Sequence, residues 1–156
     1  MEKKFILTDK FVINSFGIKL FQIKCTKSFK YAQKGDFGGY VEKEGNLDQE
    51  NDAWVFGNAR VSGDAWVSGN AWVSGDADIE NDNEHCGFDG FGSCNRHTHA
   101  YMTKEKKVEI ICGCFRGSIE EFEKKVEETH SGTVYEKQYK SIINVIKIKF
   151  GLTDFT

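Results

Sequence analysis

The sequence predicts a mainly β protein, in which a short parallel β-solenoid is capped by an N-terminal β-hairpin lobe and followed by a small α+β C-terminal lobe. Three observations support this fold class: a six-residue repeat in the middle of the chain, alternating apolar residues before it, and two helix-start patterns after it. The predicted segments are a β cap at 1–38, the repeat at 39–82, and a hairpin with two helices at 83–156.

The repeat has a period of six, and its clearest part is RVSGDAWVSGNAWVSGDA at 60–77. Seven hexads run over residues 39–80, with Gly before Asn or Asp at the corners and Ala and Val two residues apart. Gly and Asn or Asp tolerate the backbone angles of a corner, and residues two apart point to the same side of a strand. Each hexad is therefore predicted to be a short strand followed by a bend, with Ala and Val facing inward.

The period also predicts which residues are neighbours. If three hexads make one turn, residues eighteen apart stack at the spacing of adjacent strands, about 4.8 Å. Glu42, Arg60 and Asp78 should then form a ladder of alternating charge. By the same arithmetic, Trp66 should lie over Asp48.

Hairpins are predicted on both sides of the repeat. Apolar stretches at 11–13 and 18–23 flank the turn-rich residues 14–17, and stretches at 97–102 and 108–112 flank a charged turn. Residues 81–95 have no period and are predicted to be a loop.

Two capping-box patterns predict two helices after the second hairpin. The first is Ser118-Ile119-Glu120-Glu121, and the second is Thr133-Val134-Tyr135-Glu136. Apolar residues with helical spacing follow each pattern, so both helices should pack on the hairpin.

The tryptophans of the repeat are the predicted partner-binding residues, together with Arg60. Trp54, Trp66 and Trp72 each lie between an inward Ala and an inward Val, so they should point outward. Trp is typical of interface hot spots. Because Trp54 and Trp72 are eighteen residues apart, they should stack and be more deeply buried than Trp66, under a terminal lobe or in an interface.

Three stretches resemble a family of small phage and prophage proteins with a short hexapeptide-repeat body, a β-hairpin and two helices. They are FGGYVEKEGNLDQENDAWVFGNARV, GFGSCNRHTHAY and CGCFRGSIEEFEKKVEETH. The resemblance implies that the repeat is a left-handed parallel β-helix. It also implies a non-enzymatic binding protein that occupies a host macromolecule's surface, as a candidate inhibitor of a host-defence factor of the anti-CRISPR type.

An acyltransferase is the first alternative, because the repeat resembles that of hexapeptide-repeat enzymes that use coenzyme A thioesters. Such enzymes resemble one another in a long helix of many coils and in a catalytic His. This repeat is short and contains no His. No catalytic residue is therefore predicted.

A metal-stabilised structural or virion-associated module is the second alternative. The candidate ligands for zinc are Cys86, Cys94, His97, Cys112 and Cys114. Their spacing is not that of a compact zinc knuckle. The favoured interpretation is that Cys112 and Cys114 pack as small apolar residues, that His97 and His99 are exposed on a strand, and that no cofactor is bound.

Charge distribution and cysteine usage predict the partner and the compartment. Residues 39–86 contain eleven acidic and two basic residues, net −9, whereas residues 1–38 have net charge +5. An acidic body attracts a partner with a basic surface and repels nucleic acid. Five cysteines and no long apolar run predict a protein with free thiols and no membrane contact, in the cytoplasm of an infected or lysogenic bacterium. A homo-oligomer is the other expected use of the tryptophan surface.

Overall fold

The computed structural model describes residues 2–152, which form two compact units that divide between Asp82 and Asn83. The strands of the first unit are β1 (Phe5–Ile13), β2 (Lys19–Cys25), β3 (Phe37–Val41), β4 (Trp54–Val55), β5 (Arg60–Val61), β6 (Trp72–Val73) and β7 (Asp78–Ile79). The second unit contains β8 (His85–Phe91), β9 (Arg96–Met102), β10 (Val108–Cys112), β11 (Phe115–Ser118), α1 (Ile119–His130) and α2 (Val134–Lys149). Short 3₁₀ turns lie at Glu44–Asn46 and Asp82–Glu84.

These strands form three separate sheets. In the first unit, a five-stranded sheet has the order β1-β2-β3-β5-β7, and β4 and β6 form a two-stranded parallel sheet. The β1-β2-β3 part is antiparallel, and β3, β5 and β7 run parallel. The second unit has an antiparallel sheet of order β11-β10-β9-β8.

The predicted fold class is wrong. The described residues form a mixed α/β structure of eleven strands in three sheets with two helices, and they contain neither a solenoid nor a left-handed parallel β-helix. One reason is that the four strands from β4 to β7 are only two residues long. A second is that the parallel strands β5 and β7 continue the sheet of the N-terminal hairpin through β3, so the repeat is not a separate body.

The inward positions of the repeat are nevertheless as predicted. In the five-stranded sheet, Val41 pairs with Val61 and Val61 with Ile79, and Val55 pairs with Val73 in the two-stranded sheet. These residues are completely buried. The Ala residues of the repeat are also buried: Ala53, Ala59, Ala65, Ala71 and Ala77. Burial of this apolar column is the main force that holds the short strands together, since each ladder has few hydrogen bonds.

The spacing of eighteen residues is present in the second half of the repeat. Trp54 pairs with Trp72, and Arg60 pairs with Asp78. Ala59 and Ala77, also eighteen residues apart, are both fully buried.

The first half of the repeat is shifted by two residues. Tyr40 pairs with Arg60, and Leu47 forms a bridge with Val67, so both pairs are twenty residues apart. Glu42 therefore does not pair with Arg60, and the predicted charge ladder is wrong at its first member. Instead, the Glu42 carboxylate accepts a hydrogen bond from the Gly63 amide at 2.6 Å.

The extra two residues lie between Leu47 and Val55, in a turn organised by Asp48. Its carboxylate accepts hydrogen bonds from the Glu50 amide at 2.8 Å, the Asn51 side chain at 2.7 Å and the Gly69 amide at 3.4 Å. Burial by itself would raise the pKa of Asp48, but these hydrogen bonds lower it below its ordinary value. The turn is thus held by specific hydrogen bonds, although in the sequence it is visible only as a hexad that departs from the repeat pattern.

Lys4, just before β1, binds the same turn. Its ammonium group donates to the Asn51 carbonyl at 2.6 Å and the Ala53 carbonyl at 2.7 Å, and it lies 4.9 Å from the centre of the Phe29 ring. The side chain is almost fully buried, and burial lowers its pKa to about 8.

The predicted N-terminal hairpin is confirmed. Strands β1 and β2 pair from Ile13 and Lys19 outward across the turn at 14–17, and the Asn14 side chain accepts hydrogen bonds from the amides of Phe16 and Ile18. An Asx turn of this kind is the local reason that these residues reverse the chain.

The second hairpin and the first helix of the C-terminal lobe are also confirmed. Strands β9 and β10 pair from Met102 and Val108 outward. Ser118 caps α1 as predicted. Its hydroxyl accepts a hydrogen bond from the Glu121 amide at 3.1 Å, and the Glu121 carboxylate accepts one from the Ser118 amide at 3.3 Å. Both helices lie on one face of the sheet, and the core between them consists of Ala100, Ile110, Cys112, Ile119, Phe122, Val126, Tyr139, Ile142, Ile143 and Ile146.

Two local expectations for this lobe are wrong. Residues 81–95 are not a loop throughout, because His85–Phe91 forms β8 on β9. The second capping box does not form: α2 follows Thr133, but the Thr133 hydroxyl donates back to the His130 carbonyl at 2.7 Å and does not cap the helix. Pairing with β9 decides the first case, and the hydrogen bond of Thr133 to His130 decides the second.

Neither helix in the described part of the chain is long and apolar enough to cross a membrane.

Candidate functional site

Trp54 lies inside the first unit. Its indole is 1% exposed and packs edge-on against Phe5 and Phe29, with ring centres 6.3 and 5.2 Å away. The side chain points away from the Ala and Val column, as predicted, but Phe5 and Phe29 of the N-terminal segment cover it. Trp54 therefore stabilises the fold, and its indole is not at the surface.

Trp72 lies beside it in the sheet and is half-buried. Its ring stacks on Phe56 at 4.2 Å with an interplanar angle of 19°, and Tyr31 packs edge-on at 4.8 Å. Trp54 and Trp72 are thus both more buried than Trp66, as the sequence predicts.

Trp66 is the tryptophan that reaches solvent, with 54% of its surface exposed. Its backbone is fixed, because Ala65 and Val67 are buried on either side and the Trp66 amide donates to the Asp82 carboxylate at 2.8 Å. Because Leu47 pairs with Val67, the residue opposite Trp66 is Asn46, and the predicted contact with Asp48 is wrong.

The surroundings of Trp66 are acidic. Asp82 bonds to its amide, and Asp64, two residues earlier, has a fully exposed side chain. Lys43 is 3.9 Å from the Asp64 carboxylate, a distance at which an exposed ion pair contributes little. The result is an exposed indole on a fixed backbone in an acidic segment, which we call the Trp66 surface.

Arg60, the fourth predicted partner-binding residue, lies on β5, between β3 and the edge strand β7 of the five-stranded sheet. It pairs with Tyr40 on one side and Asp78 on the other, and it is half-buried. A role for Arg60, Trp54, Trp66 or Trp72 in binding stays a prediction, and Trp66 is the one of the four that is exposed.

The candidate metal ligands do not come together. Cys86 and Cys112 belong to the helix-facing side of the sheet, Cys94 and Cys114 are exposed, and His97 lies on the strand face opposite to Cys112. Among residues 2–152, no group of three or more His, Cys, Asp or Glu side chains has a geometry that could hold a metal ion.

The histidines instead form a hydrogen-bonded chain, which corrects the expectation that His97 and His99 are exposed. The Nδ1 atom of His85 is 3.1 Å from Nε2 of His99, and Nδ1 of His99 is 3.0 Å from Nε2 of His97. The Nδ1 atom of His97 is 2.6 Å from an Asp89 carboxylate oxygen. His99 is 2% exposed, and burial, followed by the two neighbouring histidines, lowers its pKa well below the ordinary value.

One assignment of protons satisfies this chain with three neutral rings and an ionised Asp89. The carboxylate can only accept, so His97 donates from Nδ1 and accepts at Nε2. His99 must then donate from Nδ1 and accept at Nε2, and His85 donates from Nδ1. All the ring protons in this assignment therefore point toward Asp89, and the buried central ring, His99, is neutral.

Gly87 makes room for these rings. It pairs with His99 across the β8–β9 ladder, and a Cβ atom at this position would lie 2.6 Å from the His97 ring and 2.8 Å from the His99 ring. The sequence pointed to His97 and His99 but not to their hydrogen bonds with Asp89 and His85. The pattern that could have revealed them is the alternation His-x-His opposite a strand glycine.

No protein-family model and no curated protein matches this chain. The resemblance to phage hexapeptide-repeat proteins therefore stays an expectation, and the function has to be argued from the geometry.

Proposed function

We propose that this protein acts by binding a macromolecular partner through the Trp66 surface, without catalysing a reaction. The single observation that supports the proposal most is the exposure of Trp66, a large apolar side chain that is 54% exposed on a backbone fixed by its buried neighbours. A rigid aromatic side chain loses little conformational freedom on binding, which is why tryptophan is favoured at the centre of interfaces.

The charge around Trp66 indicates what kind of partner fits. Residues 39–86 carry eleven acidic and two basic residues, Asp82 accepts a hydrogen bond from the Trp66 amide, and Asp64 lies two residues before Trp66. We infer a protein partner that offers an apolar pocket with Lys or Arg at its rim. Attraction between the two charged surfaces speeds association and disappears at high salt.

The partner we propose is a host protein, bound in the bacterial cytoplasm and inhibited by having its basic surface occupied. A host-defence factor that handles nucleic acid has such a surface, because it must bind phosphates. Self-association through the same tryptophan is the competing outcome, and it can be measured directly.

Replacement of Trp66 by alanine tests the proposal. Immobilised wild-type protein and the Trp66→Ala variant are exposed to bacterial lysate, and bound proteins are quantified. We expect a partner that depends on Trp66, and whose affinity for the purified protein falls at least tenfold in the variant, or about 1.4 kcal/mol. Asp64→Lys should weaken the same partner at low salt and have less effect at high salt.

The matched control is Phe16→Ala. Phe16 is 70% exposed in the hairpin turn, so the change removes an exposed aromatic residue away from the acidic repeat. Retention of every partner by Trp66→Ala, or equal losses in both variants, would refute the proposal. Loss of a dimer in the Trp66→Ala variant, measured by sedimentation, would instead assign the surface to self-association.

A further inference from the structure

A small pocket in the second unit is lined by basic and aromatic side chains. It lies between the turn that joins β10 to β11 and the end of α1, and its volume is about 110 Å³. Its lining residues are Arg96, Cys112, Cys114, Phe115, Phe122, Lys125, Val126, Thr129, His130 and Tyr139.

The ionisable side chains that line this pocket include basic groups and no carboxylate. Arg96, Lys125 and His130 contribute basic groups, and the lining contains no Asp or Glu. Within residues 2–152, neither Arg96 nor Lys125 forms an ion pair with a carboxylate, whereas the neighbouring Arg116 pairs with Glu109 at 3.2 Å. A concave site with two cationic side chains and no carboxylate in its lining attracts an anion.

Two glycines leave space for the polar groups of the pocket. Gly113 has a φ of 60°, and a Cβ atom there would lie 2.2 Å from the Arg96 guanidinium. Gly92 has a φ of 80°, and a Cβ atom there would lie 2.0 Å from the Tyr139 hydroxyl. Because glycine has no side chain, Arg96 can lie close to the backbone of Gly113, and Tyr139 can lie close to that of Gly92. Both side chains line the pocket in these positions.

Packing holds Tyr139 and His130 in place. Tyr139 is 5% exposed, and the Cys112 thiol donates to its oxygen at 3.6 Å, so the hydroxyl hydrogen is left to point elsewhere. The His130 ring packs on Tyr139 with centres 5.6 Å apart. Thr129 on α1 adds a hydroxyl, and Phe115 and Phe122, 5.1 Å apart, form an apolar wall.

The volume limits the size of the ligand. A volume of about 110 Å³ is that of a small pocket, below the roughly 300–1,000 Å³ of sites that enclose a whole drug-sized ligand. A phosphate group fits this space, but the rest of a phosphorylated metabolite would have to remain outside.

We propose that this pocket binds the phosphate group of a small phosphomonoester. A phosphomonoester carries about −1.5 to −2 charges at pH 7 and three acceptor oxygens, which matches the charge and the donors of Arg96, Lys125 and Thr129. A carboxylate carries one charge and two oxygens, so it would leave part of this set unpaired. The proposal is independent of the Trp66 surface, which lies in the other unit.

Titration of the full chain with ribose 5-phosphate, followed by NMR of the backbone amides, tests this site. We expect saturable shifts at Arg96, Thr129 and His130, smaller but saturable shifts with inorganic phosphate at the same residues, and none with acetate at equal ionic strength. Saturation by ribose 5-phosphate but not by inorganic phosphate would mean that the sugar is recognised, and would overturn the assignment of the phosphate group as the ligand.

The variants Arg96→Gln and Lys125→Gln should each weaken binding at least tenfold. Both side chains are exposed, so the fold should be retained, and the spectrum of each variant verifies it. Lys124→Gln is the matched control, because Lys124 has the same charge on the same helix and does not line the pocket. No saturable shift, equal weakening by Lys124→Gln, or equal binding of acetate would overturn the proposal.

Discussion

At the scale of single residues, Lys4 shows how one buried polar group can fix a distant turn. Its ammonium group satisfies the carbonyls of Asn51 and Ala53 in a region where the backbone leaves the repeat register. A buried carbonyl without a donor costs about 1–3 kcal/mol, so the lysine stabilises the turn through hydrogen bonds although burial of its charge is unfavourable.

Lys4 makes stability depend on pH in the alkaline range. Its pKa is about 8 in the folded protein against 10.5 ordinarily, so between these values the unfolded chain binds more protons. The contribution of Lys4 to the free energy of unfolding should therefore rise as pH increases from 8 to 10.5, by at most about 3 kcal/mol.

Urea unfolding of the wild type and of Lys4→Met at several pH values measures this contribution as the difference between the two. The difference is needed because burial raises the pKa values of Cys25, Cys86 and Tyr139, and these groups lower stability in the same range. Lys10→Met, which changes an exposed lysine of β1, is the control. A pH-independent difference would show that Lys4 keeps its ordinary pKa.

At the scale of elements, strands β8 and β9 are joined by side chains as well as by their backbone ladder. The His85–His99–His97–Asp89 chain crosses between them, and Gly87 gives the rings their space. Replacing the glycine or the central histidine should therefore affect both strands together.

His99 should give the protein a stability loss in mild acid. Because its pKa in the folded protein is well below 6.5, the unfolded chain binds more protons below that pH. The free energy of unfolding should be at its plateau above about pH 6.5 and fall as the pH decreases below it.

Unfolding measured between pH 5 and 8 tests this behaviour. His99→Asn should lower stability at pH 7, by about 1–3 kcal/mol from lost hydrogen bonds, and should flatten the slope below pH 6.5. An unchanged slope in the variant would mean that another group is responsible for the acid sensitivity.

The same elements show how far the sequence could predict the fold. Turn residues such as Asn14 and the Ser118 cap act within a few positions, so both hairpins and the start of α1 could be predicted. The shift between Leu47 and Val55 could not, because counting in sixes assumes that no residue is inserted, and the insertion is held by Asp48 and Lys4.

The surroundings of the candidate site residues could be predicted only in part, for a similar reason. Burial of Trp54 and His99 depends on what covers each sheet face, and alternation along a strand gives only the direction of a side chain. The exposed position of Trp66 and the outward direction of all three tryptophans could be predicted, but the cover over Trp54 could not.

At the scale of the whole molecule, each of the two compact units has its own apolar interior. The first is built on the Ala and Val column with Trp54, and the second on the sheet side that faces α1 and α2. Local unfolding usually follows such units.

Trp54→Ala should therefore destabilise the first unit selectively. Loss of a fully buried indole costs about 3–5 kcal/mol, whereas Trp66→Ala, at the surface, should cost about 0.5 kcal/mol or less. Hydrogen exchange read by mass spectrometry should show faster exchange in β1 to β7 of Trp54→Ala and unchanged exchange in α1 and α2. Uniform acceleration along the chain would indicate a single cooperative unit.

The contact between Lys4 and the turn also affects the order in which the molecule can be completed during synthesis. The hydrogen bonds of Lys4 span 47 and 49 residues. The segment before β1 therefore cannot reach its final partners until the ribosome has released residues 51–53. Until then Phe5 has no Trp54 to pack against and stays available to chaperones. The first unit can therefore fold completely only after its central residues have been synthesised.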